Sequence, residues 1–117
     1  MNFRFTWDNR LHRKLEFSTV IQQGRRLSSS GVTVWIFQHP KSTAEPRLGF
    51  AVSRFYGNAV ARNHLKRLLR EIFRLNKPQL PPGVDMVFSA RKLSFTLRYQ
   101  TLEILVKGLW TKAGLWH

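Results

Sequence analysis

The stretch Gly57-Asn58-Ala59-Val60-Ala61-Arg62-Asn63-His64-Leu65-Lys66-Arg67-Leu68-Leu69-Arg70-Glu71, continuing to Asn76, dictates how the rest of the chain must be arranged. At about 100° per residue, Ala61, Leu65, Leu68, Leu69, Ile72 and Leu75 gather on one side of a helix, the spacing of a face packed on a sheet. Arg62, Lys66, Arg67, Arg70, Arg74 and Lys77 take an opposing arc of roughly 140°, with Asn63 and His64 at its near end. Glu71 is the one carboxylate of the segment. Like charges three and four residues apart cost a few tenths of a kcal/mol per pair, so a bound polyanion would offset a standing repulsion. The competing reading is a merely solvated face, but such faces usually mix their signs. Asn58 is placed to cap the helix, and Lys77-Pro78 stops it.

Strand patterns flank this helix. Upstream, Arg47 to Ser53 alternates bulky Leu48, Phe50 and Val52 with small Gly49, Ala51 and Ser53, leaving one face open to close approach by another element. Downstream, after Pro81-Pro82-Gly83, Val84 to Ala90 is apolar except for Asp85 and Ser89, as in a buried strand. A strand-helix-strand unit results, in which the two strands can be parallel. Further upstream, Val32 to Phe37 is β-branched and aromatic, with Val32, Val34 and Ile36 on one face and Thr33, Trp35 and Phe37 on the other. Both faces should be covered. Pro40 to Pro46 has the length of a hairpin loop joining that strand to the next. Arg10 to Gln23 carries Leu11, Leu15, Phe17, Val20 and Ile21 at near-helical spacing and stops at Gly24. A short strand fits Arg25 to Ser28, before the Ser28-Ser29-Ser30-Gly31 turn signal. A final helix falls within Ser94 to Ala113, with Leu102, Leu105, Val106, Leu109 and Trp110 on one stripe. Residues 1–9 read as a loose arm. The expected order is αβββαβα, a single-domain α+β sandwich spanning residues 1–117.

Composition narrows the function. Twenty Lys and Arg against six Asp and Glu give a net charge of +14, the footprint of a nucleic-acid partner. With 43% apolar residues the chain is too hydrophobic for a disordered basic tail, so the charge decorates a folded body. The absence of cysteine excludes disulfides, zinc ribbons and thiol catalysis. No apolar run approaches the roughly 20 residues of a membrane span, and a cytoplasmic protein is expected. The six carboxylates, Asp8, Glu16, Glu45, Glu71, Asp85 and Glu103, are scattered, so a metal site made by this chain alone is disfavoured. The histidines His12, His39, His64 and His117 are equally dispersed, and sequence alone leaves a general acid-base pair open. It also leaves Phe17, Trp35 and Phe37 open to two roles, core packing or a platform for stacking single-stranded bases.

Arg47-Leu48-Gly49-Phe50-Ala51-Val52-Ser53-Arg54, then Gly57-Asn58-Ala59-Val60, then Arg62-Asn63-His64-Leu65-Lys66-Arg67-Leu68-Leu69-Arg70-Glu71 strongly resemble the bacterial ribonuclease P protein subunit family. Arg10-Leu11 with Phe17, Val20 and Gly24, and Pro82-Gly83-Val84-Asp85-Met86-Val87, extend the similarity over nearly the whole chain. The resemblance implies a ribosomal-protein-like α/β sandwich in which the signature helix crosses between parallel strands in the rare left-handed sense. Pattern rules alone favour a right-handed crossover. It implies a small basic partner of a catalytic RNA, the two together removing the 5′ leader of precursor tRNA by hydrolysing one phosphodiester bond. The enzyme is then an endoribonuclease whose catalytic component is RNA, with Mg²⁺ held mainly by that RNA and no catalytic residue in this chain.

Carried over by position, Arg62, Asn63, Lys66, Arg67 and Arg70 fall on the signature helix, and Phe17, Ile21 and Trp35 where the family lines its leader-binding cleft. Arg54, Asn58, His64 and Arg74 extend the expected RNA contact, and Phe37 extends the cleft. The implied partners are the catalytic RNA and precursor tRNA, with no small-molecule substrate, no membrane, and a monomer outside the holoenzyme. Two positions depart from the family. His64 stands in place of the usual arginine, and Phe55-Tyr56 follow Arg54 where a lysine is frequent. Two rivals remain at this stage, a structural ribosomal RNA-binding protein with no role in cleavage and a free-standing endoribonuclease.

Overall fold

The computed structural model describes residues 4–116. Its elements are α1 (Lys14–Gln23), β1 (Arg25–Ser29), β2 (Val32–Gln38), β3 (Arg47–Phe50), α2 (Ala59–Asn76), β4 (Val84–Ala90) and α3 (Tyr99–Lys112), with single 3-10 turns at Trp7–Asn9 and Lys77–Gln79. One four-stranded sheet runs β1-β2-β4-β3. The β1 and β2 strands form a two-residue hairpin whose central residues, Ser30 and Gly31, both have positive φ (55° and 94°). Those values match the right-handed twist of the strands they join. No described helix is long and apolar enough to cross a membrane.

The sheet is covered on both faces. Val32, Val34 and Ile36 of β2, Leu48 of β3 and Met86 and Phe88 of β4 point toward α2 and α3 and build the main core. The helices answer with Leu65, Leu69, Ile72 and Phe73, and with Leu102, Val106, Leu109 and Trp110. The alternate residues Trp35, Phe37 and Val87 face α1, where Leu11 and Val20 close a smaller core.

The connector Pro40 to Pro46 is not a hairpin loop. β4 pairs antiparallel with β2 on one side and parallel with β3 on the other, so β2 and β3 never touch as neighbours. The physical reason lies in β4, whose residues Val84 to Phe88 are all buried and therefore need a strand on each edge and a helix on each face. The expected parallel pair with α2 between its strands is present.

Three further expectations are corrected. The first helix starts at Lys14 rather than Arg10, because Arg10 bridges Leu48 and the Leu11 N–H donates to the Leu48 carbonyl at 3.0 Å, extending the sheet past β3. In α2, Phe73 is fully buried while Leu75 is 39% exposed, so the buried stripe runs through Leu65, Leu69, Ile72 and Phe73. The arm expected at residues 1–9 is held at Arg4, Phe5 and Asn9, while Trp7 between them stays exposed. Asn9 is buried and its Nδ2 donates to the Pro46 carbonyl at 3.0 Å, while Phe5 meets Phe73 edge to face at 5.8 Å. Residues 1–3 and 117 lie outside the described range.

Glu16 fastens α1 to the sheet. Its Oε1 accepts from the backbone N–H groups of His12 and Arg13, both at 2.9 Å, and its Oε2 from Arg47 Nη1 at 2.5 Å. Burial opposes ionisation, but the Arg13 and His12 amides and the Arg47 guanidinium outweigh it and hold the carboxyl at about 2, below its ordinary 4.5. The folded value is the lower one, so this stabilisation is complete above pH 4.5 and is lost as pH falls toward 2. After allowance for solvent screening it is on the order of 1–2 kcal/mol. Urea unfolding midpoints of wild type and Glu16→Gln should therefore differ above pH 4.5 and converge near pH 2. A gap that persists in acid would refute the assignment.

Candidate nucleic-acid interface

α2 is built to meet anions at its start. The Asn58 side chain caps it, accepting from the Ala61 N–H at 2.9 Å, and no carboxylate lies in the first turn. The partial positive charge of the helix N-terminus is therefore reinforced, not cancelled, by Arg62 and Lys66 one turn on. Asn63, His64 and Arg67 are exposed, and Arg62, Lys66 and Arg70 are half-buried. Among the described residues Arg62, Lys66, Arg67 and Arg70 have no carboxylate within ion-pair distance.

The other two cations of the expected arc are differently placed. Arg74 is held by Glu71, with Nη2 to Oε1 at 2.5 Å and Nε to Oε2 at 3.1 Å. Lys77 is only 3% exposed. Its Nζ donates to the Arg4 carbonyl at 2.5 Å and to Asn9 Oδ1 at 3.1 Å, and pairs with Glu45 at 3.2 Å. The chain leaves the α-helix at this residue for a 3-10 turn, and these contacts hold the ammonium inside, away from the exposed cationic face.

Arg70 marks the junction between the helix and the smaller core. Its guanidinium lies 5.8 Å from the Phe5 ring centroid and 5.7 Å from that of Phe50, and its Nε is buried with no hydrogen-bond partner among the described residues. Burial, then the nearby charges of Arg10 and Arg67, push its pKa down. A desolvated cation with an unused donor and like-charged neighbours is a site that gains from an anion. Arg10, Lys66 and Arg70 line the same cavity of ≈ 230 Å³, together with Phe5, Phe17 and Phe50.

The aromatic residues Phe17, Trp35 and Phe37 come together on one core. Phe17, Trp35 and Phe37 are half-buried and pack on the small core around Val87. Phe37 meets His39 edge to face at 4.8 Å. Phe17 is shared between the cationic cavity and a second, shallow one of ≈ 380 Å³ on α1, where Ile21 sits with His12 and Lys14. Phe17 reaches the sheet because β3 offers a glycine there. A Cβ on Gly49 would lie 2.6 Å from Phe17 Cε1 and 3.1 Å from Leu11 Cδ1. Gly49→Ala should cost about 1–3 kcal/mol by overpacking and displace Phe17, readable as a lowered urea midpoint. An unchanged midpoint would mean that Phe17 is free to move aside.

Charge is sorted along the parallel strands. At the start of β3 and β4, Asp85 accepts from Arg47 through both carboxylate oxygens (2.8 and 2.7 Å) and pairs with His39 at 2.7 Å, close to Glu16 and Glu45. At the far ends lie Arg54, Arg91 and Lys92, all exposed, beside the start of α2. Phe5, Arg91 and Lys92 escape the sequence reading, and Arg10 and Phe50 enter it only as pattern and family matches, not as site residues. For Arg91 and Lys92 the signal available was a pair of adjacent cations straight after a buried strand. Among the described residues no three His, Asp or Glu side chains converge to hold a metal ion.

The comparisons with known proteins agree with this geometry. The family model described as Ribonuclease P matches residues 5–114. The ribonuclease P protein component of Clostridium kluyveri is 37% identical over 109 residues, covering 92% of this chain and 96% of that protein. That of Clostridium novyi is 33% identical over 110 residues, covering 94% and 97%. Among solved structures, the RNase P protein from Thermotoga maritima superposes with a TM-score of 0.75 at 31% identity, over 88% of this chain and 96% of that one. The Staphylococcus aureus RNase P protein reaches 0.81 at 23% identity, over 93% and 98%, a likeness of fold. With the family model spanning nearly its whole length, the chain belongs to the ribonuclease P protein component family.

Proposed function

We propose that this chain is the protein subunit of a ribonuclease P ribonucleoprotein, which binds a catalytic RNA through the start of α2 and the 5′ leader of precursor tRNA through the α1 cleft. The observation that carries this reading is the set Arg62, Lys66, Arg67 and Arg70, cationic and without carboxylate partners among the described residues, of which Lys66 and Arg70 share one cavity with Phe17. Guanidinium and ammonium groups on this face take RNA phosphates, which positions the strand without reading its bases. Phe17, Trp35 and Phe37, with Ile21 at the rim, give an unpaired leader rings and apolar surface to lie against. Sequence preference should be low. Hydrolysis of the phosphodiester bond belongs to the RNA partner, as does the Mg²⁺.

Reconstitution tests this directly. The full chain is assayed with precursor tRNA and Mg²⁺, with and without the cognate catalytic RNA, and precursor and mature tRNA compete for the holoenzyme. Cleavage only with the RNA present, and tighter binding of precursor than of mature tRNA, are expected. Cleavage by the isolated chain would overturn the assignment of chemistry. Permanent association with ribosomal subunits and no effect on cleavage would favour a structural ribosomal role instead.

A further inference from the structure

We propose that Phe55 is a stacking platform for one unpaired RNA base, set between two cationic grooves that take the neighbouring phosphates. The inference rests on the RNA-binding reading above and adds a contact with a base ring to a surface otherwise read as a phosphate binder.

The turn between β3 and α2 holds the ring outward. Ser53 fixes it from within, its carbonyl accepting from the Tyr56 N–H at 3.1 Å and its Oγ from the Phe55 N–H at 3.3 Å. Of the two consecutive aromatics this turn sorts, Tyr56 packs against the main core and Phe55 is 97% exposed. Burial of a Phe side chain is stabilising, and the free protein forgoes nearly all of that gain here.

A single exposed apolar side chain is ordinary. The surroundings of Phe55 are not. Phe55 lines two open grooves, one of ≈ 790 Å³ with Arg54, Arg62 and Lys66, the other of ≈ 400 Å³ with Arg91 and Lys92. None of these five cations has a carboxylate within ion-pair distance among the described residues. An aromatic face with cations on both sides matches an unpaired nucleotide, whose ring stacks while the phosphates before and after it find positive charge. A lipid surface would need a wider apolar face than one ring. The nucleotide belongs either to the catalytic RNA or to the precursor, and the chemistry is the same for both.

The test uses the full chain reconstituted with its catalytic RNA. Dissociation constants are measured across a salt series for the catalytic RNA alone and for precursor tRNA on the holoenzyme. Wild type is compared with Phe55→Ala, Phe55→Trp and the double variant Arg62→Ala/Lys66→Ala. Phe55→Ala should weaken one of the two affinities by roughly 5- to 150-fold with the salt slope unchanged, because no charge is removed. Phe55→Trp should restore the affinity. Weakening in the first measurement assigns the base to the catalytic RNA, and weakening in the second assigns it to the precursor. If Phe55→Ala binds both like wild type while the double variant binds more weakly, the platform is refuted and the cationic interface stands. A weakening that Phe55→Trp does not restore, or one with a flattened slope, refutes it too, since a rearranged turn would behave that way. If the double variant also binds normally, the RNA-binding reading falls and the platform with it.

Discussion

Replacing Arg62, Lys66 and Arg67 together by alanine is expected to flatten the log-log salt dependence of catalytic-RNA binding by about 2 to 3 and to abolish support of cleavage at low Mg²⁺. Every phosphate that is no longer neutralised lowers the slope by about 0.7 to 0.9, and the substitution takes away three cations. At moderate salt the affinity should fall by roughly 10²- to 10³-fold, since hydrogen bonds to charged groups contribute about 1.5–3 kcal/mol each and are not fully additive. The fold should survive. None of the three is paired with a carboxylate among the described residues, and their removal relieves repulsion along the helix. A circular-dichroism melt unchanged from wild type would confirm that the defect is one of binding. Retained cleavage with an unchanged salt slope would remove α2 from the interface.

Asp85→Ala should have the largest effect on stability, about 3–5 kcal/mol. The carboxylate is 3% exposed and lies opposite Arg47 in the β3–β4 register, accepting from its Nε and Nη2 while His39 completes the cluster. Removing it leaves a half-buried guanidinium with Glu16 as its remaining acid, which places the effect toward the lower end of that range. Urea unfolding reads it as a shift of roughly 1–3 M in midpoint. The salt slope of RNA binding should not change, because this cluster lies at the opposite end of the strands from Arg54 and Arg91. A destabilisation below about 1 kcal/mol would show that the cluster behaves as an exposed ion pair.

Features set by local chemistry were legible in the sequence. Asn58 caps α2 and Pro78 ends it because a cap side chain and a missing N–H act within a few residues of themselves. The faces of β2 follow from alternation, and the meeting of Phe17, Trp35 and Phe37 follows from those faces plus a helix stop at Gly24. What escaped depends on partners far along the chain. Lys77 lies on the cationic arc by helical geometry, and Arg4, Asn9 and Glu45, all more than thirty residues earlier, draw it inside. The insertion of β4 between β2 and β3 is likewise non-local, since a connector of suitable length cannot reveal whether its two strands will become neighbours. The exposure of Phe55 was hidden for a related reason. Tyr56 beside it has the same aromatic character, and only the turn decides which ring enters the core.

The sorting of charge along β3 and β4, with Asp85, Glu16 and Glu45 at one end and Arg54, Arg91 and Lys92 at the other, gives the molecule an electric dipole as well as a net charge. A distant polyanion therefore exerts a torque as well as a pull, and the tumbling body arrives with the mouth of α2 foremost. More of its collisions begin near the docked orientation than a uniformly positive sphere would achieve, a kinetic gain obtained before any atom of the two partners has met.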